Sequence, residues 1–177
     1  ILRENKVKQL DPEKNYTTFL IDLFGEDELY EVGLIDQTEG YKYCPFNKCS
    51  LLIPFFVDGK IEHLQARTLD KKNAYKNLAG TIKTPLYIPN LSGMKKLYVC
   101  EGALTALAAS VSFDAIGLLN AGVGKQENLK EEIKRIFRLY RDREIIFMPD
   151  IDVNGIEACF SIMAILDEIK INYNPTF

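Results

Sequence analysis

Three carboxylate side chains come just after runs of apolar residues that are typical of buried strands. Glu101 follows residues 97–100, and Asp150 and Asp152 follow residues 144–148. Parallel strands present their carboxyl ends at one edge of a sheet, where the ligands of α/β proteins bind. Carboxylate oxygens suit Mg²⁺ or Mn²⁺, and such an ion orients a phosphate and stabilises the charge that develops on it. The spacing therefore predicts a divalent-metal site for phosphoryl transfer.

A structural role for the same acids is the alternative. Asp is common at helix N-caps and Glu in first helical turns, so Glu101, Asp150 and Asp152 could each be an ordinary cap or loop residue. Two observations favour the metal site. All three acids fall at strand ends of one predicted array, and Gly102 and Gly155 allow tight turns beside them.

Other chemical motifs in the chain are incomplete. The run 122–125 lacks the earlier glycine and the Ser or Thr of a P-loop, and it lacks the third glycine of a dinucleotide site. Residues 150–154 resemble the start of a calcium loop, but Ser161 stands where that loop needs a glutamate. The single histidine, His63, lies in a predicted strand, and the four cysteines offer one close pair. These residues predict neither a zinc site nor a nucleophile–histidine pair.

The elements that must position the acids are short apolar runs alternating with helices. This alternation predicts βα units around a parallel sheet. The predicted strands are 97–100, 115–119, 144–148 and 171–173, and the predicted helices are 102–111, 126–139 and 155–169.

The first half of the chain has a different pattern. The apolar spacing predicts a helix over 12–24, capped by Asp11 and ended by Gly25. Asp58-Gly59 between two apolar runs is a strong turn signal and predicts an antiparallel hairpin over 50–69. An α+β unit is therefore expected before the βα array.

The charge of the chain is unevenly distributed. The formal net charge of −3 is made up of −4 over residues 1–49, +5 over residues 50–96 and −4 over residues 97–177. Much of the positive charge lies in residues 70–95, which we expect to form a basic, partly irregular connection. A basic segment between two acidic ones indicates either a patch for phosphates or a solvated lysine-rich loop.

Composition excludes several classes of protein. The chain has 177 residues, 47% of them hydrophobic and 27% charged, which is typical of a globular protein and not of a disordered or fibrous one. No apolar run approaches the ~18 residues of a membrane span, and the charged start argues against a signal peptide. The absence of an initiator Met suggests part of a longer protein. The absence of a disulfide framework is consistent with the cytoplasm.

The second half of the chain resembles a Toprim domain. The segments 97–102, with Glu101-Gly102 at its end, and 145–155, with Asp150-x-Asp152-x-x-Gly155, carry the resemblance over residues 96–174. Toprim domains occur in DnaG-type primases, topoisomerases and some nucleases. The resemblance implies that Glu101, Asp150 and Asp152 bind Mg²⁺ (or Mn²⁺) and carry catalysis, with Glu101 also assisting proton transfer.

The preceding segment is similar to the N-terminal part of bacterial primase cores. The similarity covers about residues 50–90 and rests on the predicted hairpin, on the arginine at the end of its second strand and on the Ala-Tyr-Lys-Asn run 74–77. It implies that Arg67, Lys76 and Lys83 line a basic cleft for the template and the incoming nucleotide. The chain differs from the family at Thr105 and Ala74, where primases carry Asp and Lys.

The resemblance sets the expectations to be tested. We expect a small α+β subdomain over 1–95 and, over 96–177, an α/β Toprim domain: a Rossmann-like, mainly parallel four-stranded sheet with flanking helices. The implied function is that of a bacterial or mobile-element DNA primase core, which polymerises ribonucleotides on single-stranded DNA during replication. Nucleoside triphosphates and a replicative helicase are the implied partners, with no membrane. The alternatives are a Toprim nuclease or phosphotransferase and a non-catalytic, primase-derived nucleic-acid-binding module.

Overall fold

The described part of the chain forms two compact units. The structure, a computed structural model, describes residues 6–31, 33–38, 41–68, 75–77 and 84–175. The first unit lies within 6–82 and the second within 83–177. The division falls before residue 84, whereas the sequence predicted it at 95, because residues 84–95 pack with the second unit.

The first unit combines two helices with short and long strands. Its four-stranded antiparallel sheet has the order β1-β4-β5-β6, and β2 pairs with β3 in a separate two-stranded ribbon. The elements are β1 (Lys8–Gln9), α1 (Tyr16–Phe24), α2 (Glu26–Glu31), β2 (Asp36–Thr38), β3 (Tyr41–Tyr43), β4 (Leu51–Val57), β5 (Lys60–Arg67) and β6 (Tyr75–Asn77).

Helix α1 begins later than predicted. Its N-cap is Asn15, whose side chain accepts a hydrogen bond from the backbone N–H of Thr17, so the prediction of Asp11 as the cap was wrong. The Asp11 carboxylate instead accepts from the N–H of Glu13 at 3.0 Å, and this local Asx turn competes with helix formation. The predicted end is confirmed, because Gly25 terminates the helix with a φ of 81°.

The predicted hairpin is present as β4 and β5. Asp58 and Gly59 both have positive φ, 49° and 80°, as a type I′ turn requires. Pro54 lies beyond the two residues of β4 that pair with β1, and the register shifts between Phe55 and Phe56. The proline therefore removes no ladder hydrogen bond toward β1, and the irregularity in the ladder with β5 follows it by one residue.

Both faces of this sheet carry buried side chains. One face contributes Ala66 to a small core with Cys44, Phe46 and Cys49. On the other face, His63 and Gln65 are buried although both are polar. Both side chains hydrogen-bond to Asn77 Oδ1, at 3.2 Å and 3.1 Å, which offsets the cost of burying them.

The second unit is a five-stranded sheet flanked by helices. Its order is β11-β10-β8-β9-β7, and all pairs are parallel except β7 with β9. The elements are β7 (Leu86–Tyr87), β8 (Lys96–Cys100), α3 (Ala103–Ala109), β9 (Ala115–Leu118), a 3₁₀ turn (Val123–Lys125), α4 (Glu127–Leu139), β10 (Glu144–Met148), α5 (Val153–Glu168) and β11 (Tyr173–Asn174).

The four predicted strands and three predicted helices of this unit are confirmed, with shifts of one or two residues at their ends. The fifth strand, β7, was not expected. It pairs antiparallel with β9 through Leu86 and Tyr87, which the sequence analysis had placed in the irregular connection. A strand of two residues flanked by Pro85 and Pro89 has too little alternation to be recognised from sequence.

An ion pair fixes the amino-terminal edge of this sheet. Asp114 precedes β9, is 2% exposed and pairs with Arg143, which precedes β10. Its carboxylate also accepts hydrogen bonds from the backbone N–H groups of Ser92, Gly93 and Met94 at 2.7–2.9 Å. One buried acid thus joins the starts of two strands to the loop before β8.

In the described residues, no helix is both long and apolar enough to cross a membrane.

Candidate metal centre

The register of two parallel strands brings the predicted acids to one edge. Strands β8 and β10 pair over five residues, with Cys100 opposite Met148 at their carboxyl ends. Glu101 is the next residue after β8, and Asp150 comes two residues after β10. The neighbouring strand β9 ends at the same edge, where the loop leading to the 3₁₀ turn begins. This edge of the second unit is the candidate metal centre.

Gly155, in the first turn of α5, makes room for Glu101. A Cβ added at Gly155 would lie 2.5 Å from Glu101 Oε2, 2.5 Å from the carbonyl oxygen of Asp150 and 3.0 Å from its nitrogen. Two of these three neighbours are backbone atoms, which cannot rotate away as a flexible side chain could. Any side chain at this position would therefore displace the Glu101 carboxylate, the Asp150 backbone or the helix.

The carboxylate of Glu101 has an oxygen without a partner. Oε2 is buried and makes no hydrogen bond in the structure. Burial raises the pKa of Glu101, the negative charges of Asp150 and Asp152 raise it further, and a hydrogen bond with the Asp150 backbone opposes the rise. An oxygen left in this way costs free energy unless a cation or a proton joins it.

The two aspartates occupy different positions. Asp150 is exposed, and Asp152 is the N-cap of α5, where its Oδ1 accepts a hydrogen bond from the N–H of Gly155 at 2.8 Å. The capping role that the sequence offered as an alternative is therefore real for Asp152. It does not exclude a cation, since a carboxylate has about four lone-pair positions and the cap uses one. The cap also fixes where this carboxylate lies.

The residues present fit a hard divalent cation. Three carboxylates, one with an unpartnered buried oxygen, are the donor chemistry that Mg²⁺ prefers. Within the described ranges, no three His, Cys, Asp or Glu side chains are gathered closely enough to hold a metal by themselves. Mg²⁺ is usually bound by one or two carboxylates together with waters and substrate phosphates, not by an all-protein cage. Such a centre is completed by its substrate.

The basic residues expected to line a cleft do not share one face. Lys76 in β6 lies opposite Ala66, so it projects from the same sheet face as Ala66, whereas the adjacent Arg67 projects from the other face. Lys76 is exposed and Arg67 is half-buried. Lys83 and Ala74 lie outside the described residues. Thr105, which replaces an acid in the resemblance, is exposed on α3.

The sequence analysis missed one charged pair beside this edge. Lys125, the last residue of the 3₁₀ turn, forms an ion pair with Glu157 of α5 at 2.6 Å, with both side chains more than half exposed. The pair joins the loop after β9 to the helix that carries Asp152. Its two members are 32 residues apart in sequence, and only the crossing of α5 over the 3₁₀ turn brings them together.

Comparison with solved structures agrees with the fold described above. A DNA primase domain from Pseudomonas aeruginosa superposes with a TM-score of 0.69 at 21% identity, covering 93% of this chain and 54% of that one. The Aquifex aeolicus primase with its zinc-binding and RNA polymerase domains superposes with a TM-score of 0.70 at 14% identity, covering 99% of this chain and 45% of that one. A DnaG catalytic domain bound to single-stranded DNA superposes with a TM-score of 0.68 at 16% identity, covering 93% of this chain and 54% of that one.

The chain has the fold of a DnaG-type primase catalytic core. It spans about half the length of the primase chains that it resembles. No protein-family model matches the sequence, and no curated protein matches it. The primase-core fold therefore rests on the arrangement of its strands and helices, at identities of 14–21%. The Toprim and primase resemblance of the sequence agrees with this finding.

Proposed function

We propose that this chain is the catalytic core, or most of it, of a DNA primase that joins ribonucleotides on a single-stranded DNA template with Mg²⁺ or Mn²⁺. The observation that carries the proposal is the unpartnered Oε2 of Glu101, buried at the carboxyl edge of a primase-core sheet beside Asp150 and Asp152. A carboxylate kept in this state has no structural benefit, and a divalent cation would supply the missing partner.

In this proposal, each acid has a distinct task. The metal ions, when bound, neutralise the charge that develops on the phosphates during transfer. Glu101 is half-buried in the space that Gly155 leaves, and it would hold a metal ion from the end of β8. Asp152 is fixed by its cap on α5, and exposed Asp150 completes the set from the loop after β10. Glu101 also accepts or returns a proton at its carboxylate.

Three basic residues between positions 67 and 83 are proposed to contact nucleic acid. Arg67, Lys76 and Lys83 would bind phosphates of the template or the incoming nucleotide, which gives affinity without sequence specificity. Arg67 is half-buried and Lys76 is exposed, so Lys76 is the more accessible of these two cations. The similar DnaG domain bound to single-stranded DNA supports a DNA contact for this fold.

Primer synthesis on a template tests the proposal directly. The full polypeptide that carries this chain is incubated with single-stranded DNA, ribonucleoside triphosphates and Mg²⁺ or Mn²⁺, and the RNA products are measured. We expect Glu101→Gln and Asp150→Asn to reduce synthesis by about a hundredfold or more, and Glu127→Gln, on the exposed face of α4, to leave it unchanged. Cleavage of nicked DNA in place of synthesis would show a nuclease instead.

A non-catalytic, primase-derived module is the second candidate function. The observation that favours it is Thr105, exposed on α3 at a position where the resemblance expects a carboxylate. Calorimetry distinguishes the two functions, because a non-catalytic module would bind single-stranded DNA without binding Mg²⁺ or Mn²⁺ at the three acids. The primase proposal requires both interactions.

A further inference from the structure

Ile151 stands between the two aspartates of the candidate metal centre and is almost wholly exposed. Ile151 is 99% exposed, and Val153, two residues further on, is 71% exposed. No large apolar residue in the described part of the chain is more exposed than Ile151. Scattered apolar side chains on a surface are common, but these two flank Asp152 at the edge where substrate is proposed to bind. We call Ile151 and Val153 the aliphatic pair.

The aliphatic pair does not contribute to the packing of the second unit. Burying an aliphatic side chain is favourable, and neither residue realises that gain within the unit. Asp152 needs no apolar neighbour to cap α5, since its bond to the N–H of Gly155 is made by the carboxylate. Both residues are β-branched, so they present stiff surfaces that lose little side-chain entropy on binding.

The position of the pair limits what it can contact. Consecutive Cα atoms are about 3.8 Å apart, so a phosphate bound through Asp150 or Asp152 lies close to the aliphatic pair. A nucleotide joins its phosphates to a flat base through a single sugar, and bases stack against apolar as well as aromatic side chains. A base attached to the bound phosphate is therefore the apolar surface nearest to the pair.

We infer that Ile151 and Val153 form an aliphatic platform for the base of a nucleotide whose phosphates bind at the candidate metal centre. The inference rests on the proposed function and adds a base subsite to it. The nucleotide can be a free triphosphate or a residue of single-stranded DNA, since both offer a base beside a phosphate. A protein partner that covers the pair is the competing occupant.

Methyl NMR tests the platform without measuring activity. The isoleucine and valine methyl signals are recorded with Mg²⁺ and tripolyphosphate, then with Mg²⁺ and ATP, then with Mg²⁺ and a short single-stranded oligonucleotide. Tripolyphosphate occupies the phosphate site without a base, so it serves as the reference. We expect the ring current of the base to shift the methyl signals of the pair with ATP or with the oligonucleotide, and not with tripolyphosphate. The ligand that produces the shift identifies the source of the base.

Substitutions of Ile151 distinguish binding of the base from binding of the phosphates. We expect Ile151→Ser to weaken ATP binding by roughly three- to tenfold, as for the loss of one or two buried methylene contacts, and to leave tripolyphosphate binding unchanged. Ile151→Val should retain most of the affinity for ATP. Val111→Ser is the matched control, because Val111 is 62% exposed and lies before β9, at the opposite edge of the sheet.

Two results would overturn the inference, and they are distinguishable. If tripolyphosphate binds but ATP binds no better and Ile151→Ser changes neither affinity, the base subsite is absent and the pair is left as a protein contact surface. If wild-type protein binds neither ligand with Mg²⁺, the proposed metal centre itself fails and the platform fails with it.

Discussion

Glu101 Oε2 lies 2.5 Å from the point where a Cβ on Gly155 would be, so one glycine determines whether the buried carboxylate keeps its position. The two residues come from different elements, the end of β8 and the first turn of α5. The glycine of the pattern Asp-x-Asp-x-x-Gly is therefore explained by sterics. Gly155 lies in the first turn of α5 and faces Glu101, which follows the neighbouring strand β8.

The first prediction is that Gly155→Ala weakens divalent-metal binding while the protein still folds. The added methyl group meets the Asp150 backbone and the Glu101 carboxylate, so the acids must shift. We expect a loss of stability of about 1–3 kcal/mol and a loss of metal affinity of about ten- to a hundredfold. Calorimetric titration with Mn²⁺ measures the affinity, and urea unfolding measures the stability.

The control for this substitution is Gly122→Ala at the same edge of the sheet. A Cβ on Gly122 would meet only Asn120 Oδ1, at 3.4 Å, which is ordinary contact. Its metal affinity should equal that of the wild type. Equal affinities for the Gly155→Ala and Gly122→Ala variants would contradict the steric role of Gly155.

The second prediction is that Glu101→Gln stabilises the metal-free protein. The substitution keeps the shape of the side chain but removes a buried charge that Asp150 and Asp152 repel, and active-site acids of this kind are commonly held at a cost in stability. In EDTA the variant should melt at a higher temperature than the wild type. Mg²⁺ should raise the Tm of the wild type through binding to the folded state and leave that of the variant unchanged.

Glu127→Gln serves as the control in these melting experiments, because the Glu127 side chain is 84% exposed and pairs with Lys130 on the surface of α4. It should respond to EDTA and Mg²⁺ as the wild type does. A Glu101→Gln variant that melts below the wild type in EDTA would show that the charged form of Glu101 has a structural partner.

The position of the three acids at one edge of the sheet could be predicted from the sequence, because it depends on local sequence patterns. Glu101, Asp150 and Asp152 each follow an apolar run, and parallel strands bring such positions together without further information. The steric contact between Glu101 and Gly155 could not be predicted, because it depends on how closely α5 approaches β8 in space. The strand Leu86–Tyr87 was missed for a related reason, since its pairing with β9 is not encoded in its own two residues.

The first unit shows where reasoning from alternation fails. Alternation along β5 puts His63, Gln65 and Arg67 on one face, and a polar face is usually exposed. The structure buries His63 and Gln65, and both hydrogen-bond to Asn77, a residue of the next strand. The polarity of a residue alone does not predict whether it is exposed, because a neighbouring strand can supply the hydrogen-bond partner that allows a polar side chain to be buried.

The third prediction concerns the ionisation of His63, the single histidine of the chain. Burial lowers its pKa below 6.5, and the hydrogen bond to Asn77 partly opposes this. We expect its imidazole signals in NMR to titrate below pH 6.5 in the folded protein and near 6.5 in urea. Because the folded state disfavours the charged ring, the stabilising contribution is present above pH 6.5 and is lost as the pH falls through the folded-state pKa.

The Asn77→Ala variant tests the cause of this shift. Removing the amide leaves burial unopposed, so the pKa of His63 should fall further. An unchanged or higher pKa in this variant would show that the bond to Asn77 Oδ1 does not stabilise the charged ring. Lys76→Ala on the same strand is the control, since Lys76 projects from the opposite face.

The fourth prediction concerns acid stability and the pair Asp114–Arg143. Burial alone would raise the pKa of Asp114, but hydrogen bonds from Ser92, Arg143 and Met94 outweigh it and lower the pKa to about 2. Since the ordinary value is 3.8, the folded state favours the carboxylate by about 2–3 kcal/mol. This contribution is complete above about pH 5 and is lost as the pH falls toward 2. Urea unfolding at a series of pH values measures it.

The Asp114→Asn variant should lose this component at every pH. We expect it to be less stable than the wild type by about 2–3 kcal/mol at pH 7, because Arg143 and three backbone N–H groups lose their anionic partner. The two proteins should converge in stability as the pH approaches 2. Asp142→Asn, whose side chain is 95% exposed, should change the free energy of unfolding by less than about 0.5 kcal/mol. A difference between wild type and Asp114→Asn that does not change with pH would show that the carboxylate acts by shape and not by charge.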